Sequence, residues 1–177
     1  MTRYAAFLRA INVGGHNVKM DRLRALFAEF GCAEVSTHIA SGNVMFSAAD
    51  PGAPELEARI EAGLEGALGY GVATFLRTPE ELAAILEAAP LSEAPEGATV
   101  YIGFTRGPLT PAEAERVVAL GGAEDSVNVE GSQIYWSPGG RFSHSKLTGA
   151  TFERALGRAV TFRNDRTVRK VAEKLAL

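Results

Sequence analysis

The residues best suited to chemistry lie in one run, Arg9-Ala10-Ile11-Asn12-Val13-Gly14-Gly15-His16-Asn17-Val18-Lys19. Paired glycines permit positive φ and let successive backbone N–H groups face an anion, while Lys19 stands just before an expected helix start. A second polar stretch, Ser41-Gly42-Asn43, has the same character. In such a pocket Lys19 would neutralise an anion and Gly14, Gly15 and Gly42 would offer N–H groups. Asn12, Ser41 and Asn43 would orient the ligand. The plainer reading is that Gly14-Gly15 turns the chain, with Asn12 and Asn17 as turn formers. For the loop in isolation that reading is favoured. The run is not a Walker A loop, because G-x-x-x-x-G-K-[ST] is absent.

Three further stretches bear on chemistry. Arg163-Asn164-Asp165-Arg166-Thr167 precedes the last expected helix, where Asn164 or Asp165 would serve as an N-cap. Arg163 and Arg166 beside a helix start would equally hold a carboxylate or phosphate. Lys146 would join Arg9, Arg163 and Asn164 at the pocket if two halves of the chain face each other. Ser143-His144-Ser145-Lys146 matches S-x-x-K, but S-D-N is missing and Lys146-Leu147-Thr148-Gly149 interrupts K-T-G, so serine-dependent acyl transfer is a minor alternative. His16, His38 and His144 lack metal-ligand spacing, and Cys32 is the only cysteine. No metal site, cofactor or catalytic signature is expected from these patterns.

The elements that would position these residues follow from periodicity. Tyr4–Asn12 reads as a strand, and Asp21–Phe30 as a helix with Leu23, Leu26, Phe27 and Phe30 on one face. Val35–Ala40 and Asn43–Ser47 form a hairpin around Ser41-Gly42. Glu55–Leu68 is a helix with Leu56, Ile60, Leu64 and Leu68 four apart, and Val72–Arg77 is a strand. Thr78-Pro79-Glu80-Glu81 is a capping box opening a linking helix, and Pro90–Gly97 is the linker.

The plan then repeats. Thr99–Arg106 is a strand, Thr110-Pro111-Ala112-Glu113 caps a helix, and Ser126–Glu130 pairs with Gln133–Ser137. A helix near Ser145–Leu156, a strand at Val160–Arg163 and a helix over Asp165–Leu175 complete it. Tyr4, Phe7 and Arg9 echo Tyr101, Phe104 and Arg106, and Gly42–Ser47 echoes Gly131–Ser137. The expected class is α+β: two ferredoxin-like βαββαβ halves with mainly antiparallel sheets and an extra C-terminal helix, divided as 1–90 and 91–177. In a 4-1-3-2 sheet the end of the first strand and the turn between the second and third fall at one edge. That geometry gathers Asn12, Gly14 and Gly15 with Ser41, Gly42 and Asn43 beside a helix N-terminus, and so raises the ligand-binding reading.

Composition bounds the rest. The 177 residues are 46% hydrophobic and 22% charged, which excludes a disordered tail or a membrane span as the main character. The net charge of −3 hides an acidic stretch, 50–97, with ten acids against two arginines, and a basic one, 141–177, with nine bases against three acids. A cytoplasmic setting is expected, because the apolar run before Arg9 is too short for a leader. A nucleic-acid or protein adaptor using the basic end is the alternative function. RNA is the minority reading, because Asn43-Val44-Met45-Phe46 does not supply the aromatic signature of RNA-binding sheets. Phe7, Phe104, Tyr135 and Trp136 fit core or inter-half packing better. No membrane partner is expected, and the oligomeric state is not read.

Arg9–Gly15, Ser41–Phe46, Ser145-Lys146-Leu147 and Thr161–Val168 together resemble the bacterial family called domain of unknown function 1697. The family usually shows R-G-I-N-V-G-G, S-G-N-V-V-F and T-x-R-N-W-x-T-V. Ala10 replaces a glycine here, Asp165 replaces the tryptophan, and His38 stands where an aromatic is common. The resemblance implies paired ferredoxin-like subdomains and carries no established activity, substrate or cofactor.

Overall fold

A computed structural model describes residues 1–49, 52–139 and 144–176. Among them the chain runs β1 (Thr2–Leu8), α1 (Met20–Glu29), β2 (Ala33–His38), β3 (Asn43–Ala48), α2 (Ala53–Leu68) and β4 (Thr74–Arg77). Two helices follow, α3 (Pro79–Glu87) and the single turn α4 (Ala89–Ser92). The plan then returns as β5 (Tyr101–Phe104), α5 (Pro111–Val118), β6 (Asp125–Glu130), β7 (Gln133–Pro138), α6 (Gly149–Leu156) and β8 (Thr161–Asn164), with α7 (Asp165–Leu175) last. The sheets are ordered β2-β3-β1-β4 and β6-β7-β5-β8, and their strand pairs are antiparallel among the described residues. This is an α+β fold of duplicated ferredoxin-like halves. The chain divides into two compact units, Met1–Leu82 with Lys170–Leu177, and Ala83–Arg169.

In the first unit, period-two alternation along β1 sends Tyr4, Ala6 and Leu8 to one face, where they meet Val44 and Phe46 of β3. Leu23, Leu26 and Phe27 of α1 and Leu56, Ile60 and Leu64 of α2 cover that face. Phe27 meets Phe46 edge-on with ring centroids 5.3 Å apart. Burying each such side chain contributes about 1.5–3 kcal/mol. Two acids of α2 reach the edge of β4: Glu61 accepts from Thr74 N–H at 2.8 Å and Glu57 from Leu76 N–H at 2.9 Å. Cys32 is buried here, which pushes its thiol up to about 11 and leaves it a packing residue.

The second unit packs Val117 of α5 and Phe152 and Leu156 of α6 on Ile134 and Trp136 of β7. Trp136 lies 5.5 Å from Phe152 between centroids, and its indole Nε1 donates to Asp125 Oδ1 at 3.0 Å. Phe7, Phe104, Tyr135 and Trp136 are all buried, so they act as core. Tyr135 donates its hydroxyl to the Ile85 carbonyl at 3.0 Å, and burial raises its pKa well above the ordinary phenol value.

Several element boundaries differ from the sequence expectation. The strand β1 stops at Leu8 rather than Asn12, because Ala10 takes a left-handed φ of 55°. The helix α6 begins at Gly149 rather than near Ser145, because Thr148 and Thr151 form a reciprocal cap. Both capping boxes read from threonine and glutamate are present: Thr78 with Glu81, and Thr110 with Glu113.

Candidate functional site

The site builds from the edge of the first sheet. Phe7 pairs with Asn43, and the next amide, Leu8 N–H, donates to the Gly42 carbonyl at 2.9 Å. The end of β1 and the β2–β3 turn therefore lie side by side. Beyond β1 the chain runs through residues 9–19 before α1, with Gly14 and Gly15 at φ of 68° and 87°. Neither glycine has an atom within 4 Å of a would-be Cβ, so both face open space. Lys19 is the N-cap residue of α1, exposed, and contributes no side-chain cap. The acid in the first turn, Asp21, is paired with Arg24.

Asn12 and Asn43 sit at this rim with their amides turned inward. Asn12 Nδ2 donates to the Ala40 carbonyl at 2.9 Å and the Val18 carbonyl at 3.3 Å, and its Oδ1 accepts from Val18 N–H at 2.6 Å. Asn43 is fully buried and donates to the His38 carbonyl at 2.8 Å and Ser41 Oγ at 3.0 Å. These two side chains hold the loops in register with each other. The sequence gives them a ligand-orienting part; the geometry gives them a loop-bracing one. Gly42 packs on Leu8 and Ile11. Arg9 is half-buried, with its backbone N–H bonded to the Ala73 carbonyl at 2.9 Å.

Sequence reasoning missed two residues of this rim. Tyr70 donates its hydroxyl to the Ile11 carbonyl at 3.0 Å, and its ring stacks on His16 with centroids 3.7 Å apart. His38, at the end of β2, accepts at Nδ1 from the Lys174 ammonium at 3.2 Å. The signal for Tyr70 is visible only through the repeat. Gly69 ends α2 and Gly157 ends α6, both left-handed, and the next residue in each braces the loop that leaves the first strand of its unit. In the second unit that residue is Arg158, which donates to the Arg106 carbonyl, to the Pro108 carbonyl at 3.1 Å, and to Glu113 at 2.9 Å.

Lys146, Arg163 and Asn164 belong to the second unit. Lys146 is exposed. Arg163 is buried, which lowers its pKa to about 10, and its Nη1 donates to Thr161 Oγ1 at 2.8 Å and the Phe162 carbonyl at 2.9 Å. Asn164 caps α7, its Oδ1 accepting from Thr167 N–H at 2.8 Å. Ser143 lies outside the described residues. A concavity of about 640 Å³ also opens in this unit, but Glu93, Glu124, Asp125 and Glu130 line it, which is the wrong sign for an anion. Among the described residues, no three His, Cys, Asp or Glu side chains gather as metal ligands would.

A family model described as "Protein of unknown function (DUF1697)" matches residues 1–135, which include residues 9–19, the β2–β3 turn and Tyr70 but not α7. The chain belongs to the DUF1697 family. It is also similar to a solved structure, that of a conserved bacterial protein from Streptococcus pneumoniae. The two are 26% identical with a TM-score of 0.76, over 100% of this chain and 99% of that one. No curated protein matches.

The three departures from the usual DUF1697 pattern now have places. Ala10 stands in the left-handed region that the family's glycine would occupy without strain. Asp165 is the first residue of α7, where the helix dipole favours an acid; its Oδ1 is buried without a hydrogen-bond partner, and its Oδ2 lies 3.9 Å from Arg169 Nε. His38 faces Lys174. Restoring the family residue with Ala10→Gly is expected to stabilise the protein. Relief of a left-handed alanine is worth about 1–2 kcal/mol, against about 0.5–1 kcal/mol of added chain entropy. A thermal melt should rise by about 2 °C.

Proposed function

We propose that this DUF1697 member is a cytoplasmic protein that binds a small polar or anionic ligand at the first-unit rim. The ligand lies between residues 9–19 and the Ser41-Gly42-Asn43 turn. One observation carries the reading: α1 begins with Lys19 as its N-cap and without a side-chain cap, and the loop that leads into it carries two left-handed glycines that face open space. Helix starts ordinarily place Ser, Thr, Asp or Asn there to satisfy the first-turn N–H groups. A cation in that position leaves those donors and the positive end of the helix dipole for an external anion. Asn12, Asn43 and Tyr70 hold the two loops so that the donors are pre-organised. In support of the cytoplasmic setting, the lone Cys32 permits no intrachain disulfide. No helix among the described residues is long and apolar enough to cross a membrane.

The test is a thermal-shift screen of nucleotides and phosphorylated metabolites, followed by Lys19→Asp. An acidic N-cap accepts the first-turn N–H groups, so the variant should melt higher, by about 0.5–2 kcal/mol of stability. It should bind any hit at least about tenfold more weakly, one charge-assisted contact being worth at least that much. A hit bound equally well by the variant would remove the ligand from this rim.

A further inference from the structure

Beside the same rim, two elements of the first unit bring a histidine and two lysines together. His38 ends β2, and Lys170 and Lys174 lie one turn apart on α7. The Lys174 ammonium has no lone pair, so at 3.2 Å it can only donate to His38 Nδ1, which fixes a neutral imidazole with its proton on Nε2. Here desolvation, then Lys174, then Lys170 all act to lower the His38 pKa.

On α7, Lys170 holds Glu173 at 2.7 Å. On α1, Arg24 donates to Thr37 Oγ1 at 2.9 Å and pairs with Asp21. On β3 the residue opposite His38 is the uncharged Asn43, which bonds the His38 carbonyl rather than its ring.

We propose that His38, Lys170 and Lys174 form a binding site for a tetrahedral dianion such as a phosphate monoester, and that binding is coupled to protonation of His38. The inference rests on the reading of this rim as anion-binding and extends it to the residues on the far side of the β2–β3 turn. An anion between imidazole and ammonium supplies the acceptor that the protonated pair lacks. Once His38 is an imidazolium, both groups donate and repel each other, and a dianion converts that repulsion into two charge-assisted hydrogen bonds. By linkage, the dianion raises the His38 pKa, and protonation raises the affinity for the dianion. Binding is therefore tighter below the ordinary imidazole value of about 6.5 than well above it.

Sulfate is a suitable probe, because it is a tetrahedral dianion that does not titrate where histidine does. Backbone-amide and imidazole NMR spectra of the full chain are recorded against pH, with sulfate and with sodium chloride at equal ionic strength. Sulfate should raise the His38 pKa and chloride should not. Lys174→Gln should weaken sulfate binding about tenfold, as one charge-assisted hydrogen bond is lost, and should shrink the shift of the His38 titration at the same sulfate concentration. Equal shifts with chloride would reduce the effect to screening and overturn the site, as would an unchanged affinity in Lys174→Gln. The Gly14 and Gly15 amides report the wider rim separately. If they respond while the His38 ring does not, this site is overturned and the glycine-loop reading stands. If the ring responds and the glycines stay silent, this site stands and it is the glycine-loop reading that falls.

Discussion

Gly42→Ala is expected to destabilise the first unit by about 2–5 kcal/mol, seen as a fall in melting temperature of roughly 5–15 °C. Two independent costs add. The position has a φ of 83°, where an L side chain meets its own backbone at about 1–2 kcal/mol. The new Cβ would also stand 2.6 Å from Ile11 Cγ2 and 3.1 Å from Leu8 Cβ. Leu8 and Ile11 are buried core residues, so neither can swing aside into solvent, and overpacking of this kind costs about 1–3 kcal/mol. Comparison variants separate the two costs. Gly14→Ala, at φ 68° with nothing within 4 Å, carries only the backbone cost. Gly131→Ala, in the corresponding turn of the second unit at φ 58°, meets only Gln133 Oε1 at 4.0 Å and should behave like Gly14→Ala. If all three alanines cost the same, packing against Ile11 and Leu8 is not what holds the turn.

The duplicated architecture was legible because it rests on local periodicity. Leucines four apart on α2 and alternation along β1 and β3 can be read without knowing what they meet, and the threonine–glutamate caps lie within four residues of each other. Even the meeting of the β1 end with the β2–β3 turn follows from strand order alone. What the side chains do at that meeting was not legible. Asn12 bonds a carbonyl 28 residues away, Tyr70 one 59 residues away, and His38 faces a lysine 136 residues on. Each partner is fixed by how a loop's peptide plane turns, or by which face a distant helix presents, and no short window of sequence encodes either.

The asparagines show how this changes a functional reading. Residue type and place correctly mark Asn12 and Asn43 as belonging to the rim, yet an amide has only two donors and one acceptor oxygen to spend. Asn12 has both donors on carbonyls of the same rim, so none is left for an anion and it acts on such a ligand through the loop. The second unit solves the same problem differently. There the single hydroxyl proton of Thr105 lies within reach of the Ser132 carbonyl at 2.9 Å and the Gly107 carbonyl at 3.0 Å, and Arg158 donates to the Pro108 carbonyl of the same loop. A shared need to fasten the β1-type exit to its neighbouring turn explains why polar residues recur there in both repeats. Polarity at that edge is therefore weak evidence for a ligand by itself. Gly14, Gly15 and Lys19, whose side-chain positions brace nothing described, carry the functional argument.

Asn12→Ala should accordingly cost about 2–4 kcal/mol, one of the larger losses available from a half-buried polar residue. The substitution removes three hydrogen bonds at once and strands Val18 N–H, whose residue is only 8% exposed. An unsatisfied buried donor costs about 1–3 kcal/mol, and the untied loop gives back part of that through added freedom. Hydrogen exchange is the sharpest check: Val18 N–H should lose its protection while amides in the β1–β3 ladder keep theirs. Ligand affinity should fall as well, by the free energy needed to re-order residues 12–18, and the fall should grow with temperature as that ordering becomes costlier. Direct contact predicts a different result, namely weaker binding with Val18 protection intact. Asn12→Asp discriminates further. It keeps an oxygen for Val18 N–H but sets a carboxylate against the Ala40 and Val18 carbonyls, so it should be at least as destabilising as alanine. An aspartate variant with wild-type stability would mean that the amide does not brace these loops.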